Sequence, residues 1–308
     1  MRIVYLGTPE FSVLPLKSIV ENTNHQVVGV VCNKDKPVGR KKIMTAPPVK
    51  LYAQEKGIKV FQYDKIRLEG VEDLKSLKPD MMITCAFGQI LSQEILDIPV
   101  FGTFNIHASL LPAYRGASPI HYAILNGERQ TGITIMKTDA GIDTGDIILQ
   151  KSVVIDDNEN CGQLFEKLSK LGSDCILDFL KGFENNQITY TKQDDNLASY
   201  TKIIKKEHAK IDWSDTAENI FNKIRAFNPS PVAYTMLDGM PFKIFSARVV
   251  KGQALAGQVV CSDGEFIIGT GKDCLSLLSV QKAGGKQMDA KSFLLGNKIN
   301  KGSIIFNG

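Results

Sequence analysis

A doubly wound, mostly parallel α/β sheet followed by a small β-barrel is the architecture this 308-residue chain predicts. Three observations predict it. Short, nearly continuous β-branched apolar runs recur through the first 150 residues, the pattern of strands buried on both faces. Helical stretches alternate with those runs, as a parallel sheet requires of its crossovers. Beyond residue 230 the pattern changes to short strand candidates separated by Gly or Asp, which suggests a barrel.

The strands are expected at residues 2–6, 27–31, 81–86, 104–106, 133–136 and 147–149, and the helices between them at 9–21, 47–56, 69–77, 93–97 and 118–126. Pro9 after Gly7-Thr8 fits a helix first turn, with Thr8 as its cap. Residues 161–183 place Leu164, Phe165, Leu168, Leu171, Ile176, Leu177 and Leu180 at near-helical spacing. Residues 185–207 are polar, with Asn185-Asn186, Asp194-Asp195-Asn196 and Lys205-Lys206, and read as a linker. A helix over 217–227 ends at Asn228-Pro229-Ser230-Pro231, and strands follow at 233–237, 241–250, 258–260, 265–269 and 274–280. The division is therefore a first domain over 1–186, a linker over 187–206, and a small barrel resembling an oligonucleotide-binding (OB-like) fold over 207–308.

Hydrophobic content of 43% and charged content of 23% are ordinary for a globular protein, and no apolar run reaches the 18 or so residues of a membrane span. The opening residues, Met1 to Gly7, read as a first strand rather than a signal peptide. Cys32, Cys85, Cys161, Cys175, Cys261 and Cys274 are scattered, with no Cys-x-x-Cys pair. Buried reduced thiols in a cytoplasmic protein are expected, and no metal site. The net charge of +4 is uneven: residues 1–201 carry 22 basic and 24 acidic side chains, residues 202–308 carry 15 and 9. Residues 34–50 alone hold six basic groups and one acidic group. A basic face on an otherwise acidic body is either a solvated surface or the footprint of a polyanion, and charge alone leaves both open.

The first strand-to-helix turn, Leu6-Gly7-Thr8-Pro9, sits where a Rossmann-like protein would carry Gly-x-Gly-x-x-Gly. Only one glycine is present and Glu10 would repel a pyrophosphate, so no nicotinamide cofactor is expected. Residues 101–107 read as a strand, on which i and i+2 share a face, so Asn105 and His107 point together. Asp143 stands between Gly141 and Gly145, the setting of a carboxylate on a tight loop. An imidazole, an orienting carboxylate and an amide donor are what acyl transfer needs. A lone His on a strand is also commonly a satisfied core residue, and spacing alone leaves both readings open. The loop Lys34 to Lys42 follows a strand, bears Gly and Pro, and is cationic; it is expected to be a mobile finger that grips phosphates. Phe87 to Leu91 follows another buried strand and reads either as turn chemistry or as the wall of a flat pocket.

Asn-x-His-x-Ser-Leu-Leu-Pro at 105–112, then Tyr114-Arg115-Gly116, then Gly-x-Asp-Thr-Gly-Asp at 141–146 resemble the 10-formyltetrahydrofolate-dependent formyltransferase family. Leu6 to Phe11, the Lys36-Pro37-x-Gly39-Arg40 loop, Ile211 to Ser214 and Arg225 to Pro229 are similar to its tRNA-directed branch. The resemblance spans the whole chain. The basic loop is one residue shorter than the Gly-Arg-Gly-Lys-Lys form, and Ser230 stands where Trp is usual.

The resemblance implies formyl transfer from 10-formyltetrahydrofolate, a co-substrate, to the amine of methionyl-initiator tRNA, for translation initiation. It implies catalysis by Asn105, His107 and Asp143. The folate slot would be lined by Phe87, Gly88, Gln89, Ile90, Leu91, Ser109, Leu110, Leu111, Pro112, Asp139 and Gly141. Lys36, Arg40, Lys41, Lys42, Lys205 and Lys206 would contact tRNA, with the barrel domain completing a basic track. A monomer with no metal and no membrane partner is expected. The alternatives are a formyltransferase acting on a small amine, such as an amino-sugar nucleotide or glycinamide ribonucleotide, or a non-catalytic RNA-binding protein. The first would not need the basic loop, and the second leaves the Asn, His and Asp set unexplained.

Overall fold

The structure, a computed structural model, describes residues 1–39 and 41–306. The chain divides into two compact units, one of Met1–Pro119, Thr131–Val153 and Phe165–Thr201, the other of Ile120–Gln130, Val154–Leu164 and Lys202–Gly308. The first unit is built on a seven-stranded sheet. Its order is Ile147–Val154, Gln130–Lys137, Thr103–His107, Met81–Cys85, Arg2–Gly7, Gln26–Cys32 and Val60–Gln62. From Thr103–His107 to Val60–Gln62 every pairing is parallel, and Gln130–Lys137 joins Thr103–His107 antiparallel.

The central strands are largely apolar because both faces are covered. Val4 and Leu6 pack with Leu74 and Ile95 of the helices Val71–Leu77 and Gln93–Leu96. On the other face the Tyr5 hydroxyl donates to the Ser12 carbonyl at 2.7 Å, and Phe104 packs on Phe179 of the helix Cys161–Glu184 with ring centroids 4.7 Å apart. Burying one such aromatic is worth about 1.5–3 kcal/mol. The strand order reverses between Arg2–Gly7 and Met81–Cys85, which makes the carboxyl ends of these strands a switch point, where open α/β sheets hold their ligands.

The second unit carries a six-stranded antiparallel sheet curled into a half-barrel. Along it run Tyr234–Leu237, Met240–Val250, Cys274–Lys282, Phe266–Gly269 and Val259–Cys261, with Met288–Asp289 also on Cys274–Lys282. Its core is aromatic. Trp213 stacks on Phe306 at 5.0 Å, Phe242 and Phe266 also pack on Phe306, and Phe293 packs in turn on Phe242 and Phe266. Trp213 Nε1 donates to Thr235 Oγ1 at 3.0 Å, so the indole is buried without losing its hydrogen bond. Arg225, also buried, donates to the Glu159 carbonyl at 3.0 Å and to Asn222 Oδ1 at 2.7 Å.

Thr216 and Asp289 cap the helices Ala217–Ala226 and Ala290–Gly296, accepting from Asn219 N and Ser292 N. Thr8 does not cap as expected. The first turn after the sheet is a 3-10 turn capped at Pro9, and Thr8 Oγ1 instead accepts from Asn33 N at 3.2 Å. The strand Val60–Gln62 and the helix Ala290–Gly296 were not anticipated; each is too short to show a period. Among the described residues no helix is long and apolar enough to cross a membrane, and no group of three His, Cys, Asp or Glu could hold a metal ion.

Candidate active site

Thr103–His107 reads Thr-Phe-Asn-Ile-His, and its two faces divide the labour. Phe104 and Ile106 are buried, with Phe104 against the long helix. Asn105 and His107 take the opposite face at the carboxyl end of the sheet. Asn105 lies in register with Thr84 on the neighbouring strand, and Thr84 Oγ1 donates to Asn105 Oδ1 at 2.9 Å. That bond turns the Asn105 amide so that Nδ2 donates to Asp143 Oδ1 at 3.3 Å.

The other oxygen of the same carboxylate, Asp143 Oδ2, lies 3.5 Å from His107 Nδ1 and accepts from Gly116 N at 2.8 Å. His107 Nε2 lies 3.0 Å from the Tyr114 carbonyl. Each ring nitrogen thus faces an oxygen acceptor, and only the doubly protonated ring donates to both. One carboxylate therefore gathers an amide, an imidazole and a backbone N–H. The side chains of His107 and Asp143 are 6% and 17% exposed, so the cluster is shielded from solvent.

The loops that make this arrangement are strained. Asp143 and Tyr114 have φ of 53° and 62°, left-handed values that cost a non-glycine residue about 1–3 kcal/mol. Gly116, at φ 101°, could not be replaced without conflict, because a Cβ there would meet the Thr201 carbonyl oxygen at 2.7 Å. Gly145 is equally constrained: its Cβ would meet the Lys137 carbonyl oxygen at 1.8 Å.

The residues expected to form a folate slot fall into two groups. Ser109 and Leu111 are buried and tied down. Ser109 Oγ donates to the Ala113 carbonyl at 2.6 Å, and Leu111 N donates to Thr134 Oγ1 at 3.1 Å. Leu110 and Pro112 are half-buried, as is Leu91. Phe87 is buried, while Gly88 and Ile90 are exposed. Gln89 spends its amide inside the protein, donating to Asn33 Oδ1 at 2.8 Å and accepting from Ile66 N at 2.9 Å. Asp139 and Gly141 are exposed, and Asp139 Oδ1 organises the loop by accepting from Gly141 N at 3.0 Å and Thr144 Oγ1 at 2.7 Å.

The basic loop has paired arms, Lys36–Val38 antiparallel to Ile43–Thr45, with Lys36, Lys41 and Lys42 exposed. Arg40 lies outside the described residues. Lys50 Nζ bonds Asp35 and Gln62 Oε1 at the foot of this arm. Lys205 and Lys206 are exposed and belong to the second unit.

Several residues at this site were not found by sequence reasoning. Gln193 Nε2 donates to the Asp143 carbonyl at 2.9 Å and the Gly145 carbonyl at 2.7 Å. Its Oε1 accepts from Arg115 Nε at 3.0 Å and Nη2 at 2.9 Å. Tyr200–Thr201 runs parallel to Arg115–Gly116 as a two-stranded ribbon. Only the Tyr-Arg-Gly triplet offered a signal for Arg115, and nothing in the polar run around Gln193 marked it.

An open α/β sheet with a polar cluster at its carboxyl end, on the strand next to Met81–Cys85, is the class that fold and site define. The family model described as Formyl transferase matches residues 1–180, and that described as Formyl transferase, C-terminal domain, matches residues 203–298. The chain belongs to the formyl transferase family. It is 43% identical over 309 residues to the methionyl-tRNA formyltransferase of Bacillus subtilis, covering 99% of this chain and 97% of that one. It is 41% identical over 311 residues to the methionyl-tRNA formyltransferase of Streptococcus pyogenes, covering 99% of each chain. Among solved structures, the Helicobacter canadensis N-formyltransferase in complex with folinic acid and dTDP-3-aminofucose superposes with a TM-score of 0.69 at 25% identity, over 91% of this chain and 98% of that one. HypX from Aquifex aeolicus, in complex with tetrahydrofolic acid, shares the fold, with a TM-score of 0.63 at 19% identity over 96% of this chain and 47% of that one.

Proposed function

We propose that this enzyme transfers a formyl group from 10-formyltetrahydrofolate to the amino group of methionyl-initiator tRNA. The observation that carries the reading is the shared carboxylate: Asp143 meets Asn105 and His107 at the carboxyl end of the sheet. Its setting is a chain 43% identical to a methionyl-tRNA formyltransferase over nearly the full length of both. That likeness exceeds the 25% shared with the sugar-directed N-formyltransferase, and the exposed basic arm suits a tRNA rather than a sugar nucleotide.

In the reaction the neutral amine attacks the formyl carbon. A C–N bond forms, the carbonyl pair moves to oxygen, and the tetrahedral intermediate then expels N10 of the folate. The second Nδ2 hydrogen of Asn105 and the His107 imidazole stabilise the oxyanion, an effect worth about 3–4 kcal/mol for a well-placed donor. Asp143 holds both groups and relays the proton shed by the amine to the departing N10. The protein supplies every group these steps need. The pterin ring is assigned to the slot flanked by Phe87–Leu91 and Ser109–Pro112, beside the loop holding Asp139 and Gly141. Lys36, Arg40, Lys41 and Lys42 grip the acceptor stem, with Lys205 and Lys206 on a second basic surface. Residues 1–186 carry the groups assigned to the reaction and 207–308 form the tRNA-binding domain.

Incubation with 10-formyltetrahydrofolate and charged initiator or elongator tRNA tests the reading. Formylmethionine on the initiator alone is expected. Formylation of a small amine with neither tRNA accepted would overturn it in favour of the small-amine enzyme.

A further inference from the structure

The segment 191–201 lies between the residues matched by the two family models, and its composition is that of a linker. Its contacts are not those of a linker. Thr191 bridges Ile147, with both backbone bonds at 2.8 Å. Tyr114 N donates to Ser199 Oγ and Arg115 N to the Ser199 carbonyl, each at 2.8 Å. Tyr200–Thr201 then pairs with Arg115–Gly116, the dipeptide whose Gly116 N holds Asp143 Oδ2.

Inside this strap sits Gln193, buried while its neighbours over 191–197 are exposed. A primary amide has two N–H donors, and both go to carbonyls of the strained loop, those of Asp143 and Gly145. The amide orientation is set by Arg115, whose fork binds the Gln193 oxygen twice. Arg115 is 1% exposed, and its charge is met by Asp195 Oδ1 at 2.8 Å, with the Tyr200 hydroxyl at 3.3 Å. The Asp143 backbone is left-handed, so the loop needs an outside hold to keep its carboxylate aimed. An Asp195–Arg115–Gln193 chain of hydrogen bonds supplies one.

We infer that Gln193 is a positioning residue for formyl transfer, holding the 143–145 loop so that Asp143 stays on Asn105 and His107, with Arg115 orienting Gln193. This rests on the assignment of Asp143 to the reaction. Gln193→Glu tests it in the full chain, because a carboxylate keeps the pairing with Arg115 and the side-chain volume but loses both donors. The expected result is a fall in kcat of about 100-fold, the scale of an ångström-sized misplacement, with KM for both substrates within about threefold of wild type. The pH profile of kcat should also shift.

Asp143→Asn and the double variant are measured beside it. If Gln193 acts through Asp143, the double variant is no slower than Asp143→Asn alone; multiplicative losses would overturn the inference. A Gln193→Glu enzyme with normal kcat, while Asp143→Asn is inactive, would overturn it and leave the site assignment standing. A fully active Asp143→Asn would overturn both. If Gln193→Glu does not fold, Asp195→Ala on the exposed side of Arg115 carries the test. Its kcat should fall severalfold at unchanged KM, and an unchanged kcat would overturn the inference.

Discussion

The rim of the parallel sheet and the core of the half-barrel hold their key residues by opposite means. At the rim, His107, Asn105 and Asp143 are polar, and the bonds that hold Asp143 reach across 27 to 50 residues of sequence, from Gly116 N, Asn105 and Gln193. Asp143 itself and Tyr114, whose carbonyl faces His107, are held in left-handed backbone. In the half-barrel, Trp213, Phe242, Phe266, Phe293 and Phe306 pack in stacked and tilted pairs, and one indole hydrogen bond suffices. Directional contacts fix where an atom points and contribute little net stability, whereas buried aromatic area contributes stability and tolerates small shifts. Damage at the rim should therefore appear in turnover, and damage in the half-barrel in the melting temperature.

The sharpest way to break this contrast is to remove the rim groups. His107→Ala and Asp143→Ala should each lower kcat by about 10²–10⁴-fold, with far-UV circular dichroism and Tm close to wild type. Near-normal formylation by either variant would contradict the assigned roles. Trp213→Ala is the matching test of the half-barrel. It should destabilise the chain by about 3–5 kcal/mol on denaturant titration while the still-folded fraction keeps its kcat for turnover. A turnover defect without a stability loss would erase the distinction.

A third substitution probes the basic arm. Arg40→Ala should raise KM for charged tRNA by about 5–100-fold, the cost of one lost charge-assisted contact, and leave folate binding by fluorescence titration unchanged. Equal kinetics with wild type would show that the arm does not grip the acceptor.

The smallest effect concerns the foot of that arm. Hydrogen bonds from Lys50 and then Gln62 hold the Asp35 carboxyl below the usual carboxylate range. A group whose folded pKa is depressed stabilises the protein above its unfolded pKa and loses that contribution as pH falls through the folded value. Tm should therefore fall less steeply below about pH 4 in Asp35→Asn than in wild type. Parallel acid limbs would remove Asp35 from the account.

How much of this could be read in advance followed the same contrast. The seven strands of the main sheet were legible, apart from Val60–Gln62, because burial on both faces writes itself as apolar runs. The long helix Cys161–Glu184 announced itself by its spacing, and all five longer strands of the half-barrel fell within a residue or two of their expected bounds. Asn105 and His107 were legible because strand period fixes a shared face, and Asp143 because flanking glycines mark a tight loop. The cap at Thr8 was misread because the hydroxyl found a partner on another loop, at Asn33. Gln193 and Arg115 gave no warning as a pair. They lie 78 residues apart, and hydrogen bonds between such positions carry no periodicity.

The strap has a bearing on how this chain can be cut. A gene truncated after residue 186 would encode every side chain proposed to touch the formyl group, yet would omit Gln193, Ser199 and the ribbon on Gly116. The Asp143 loop would be left without its outer support. A break placed beyond Thr201 keeps that support attached, so an active fragment, if sought, should be designed to finish there. For the same reason a protease nick within 191–201 would act as an inactivating lesion although it touches no reacting group.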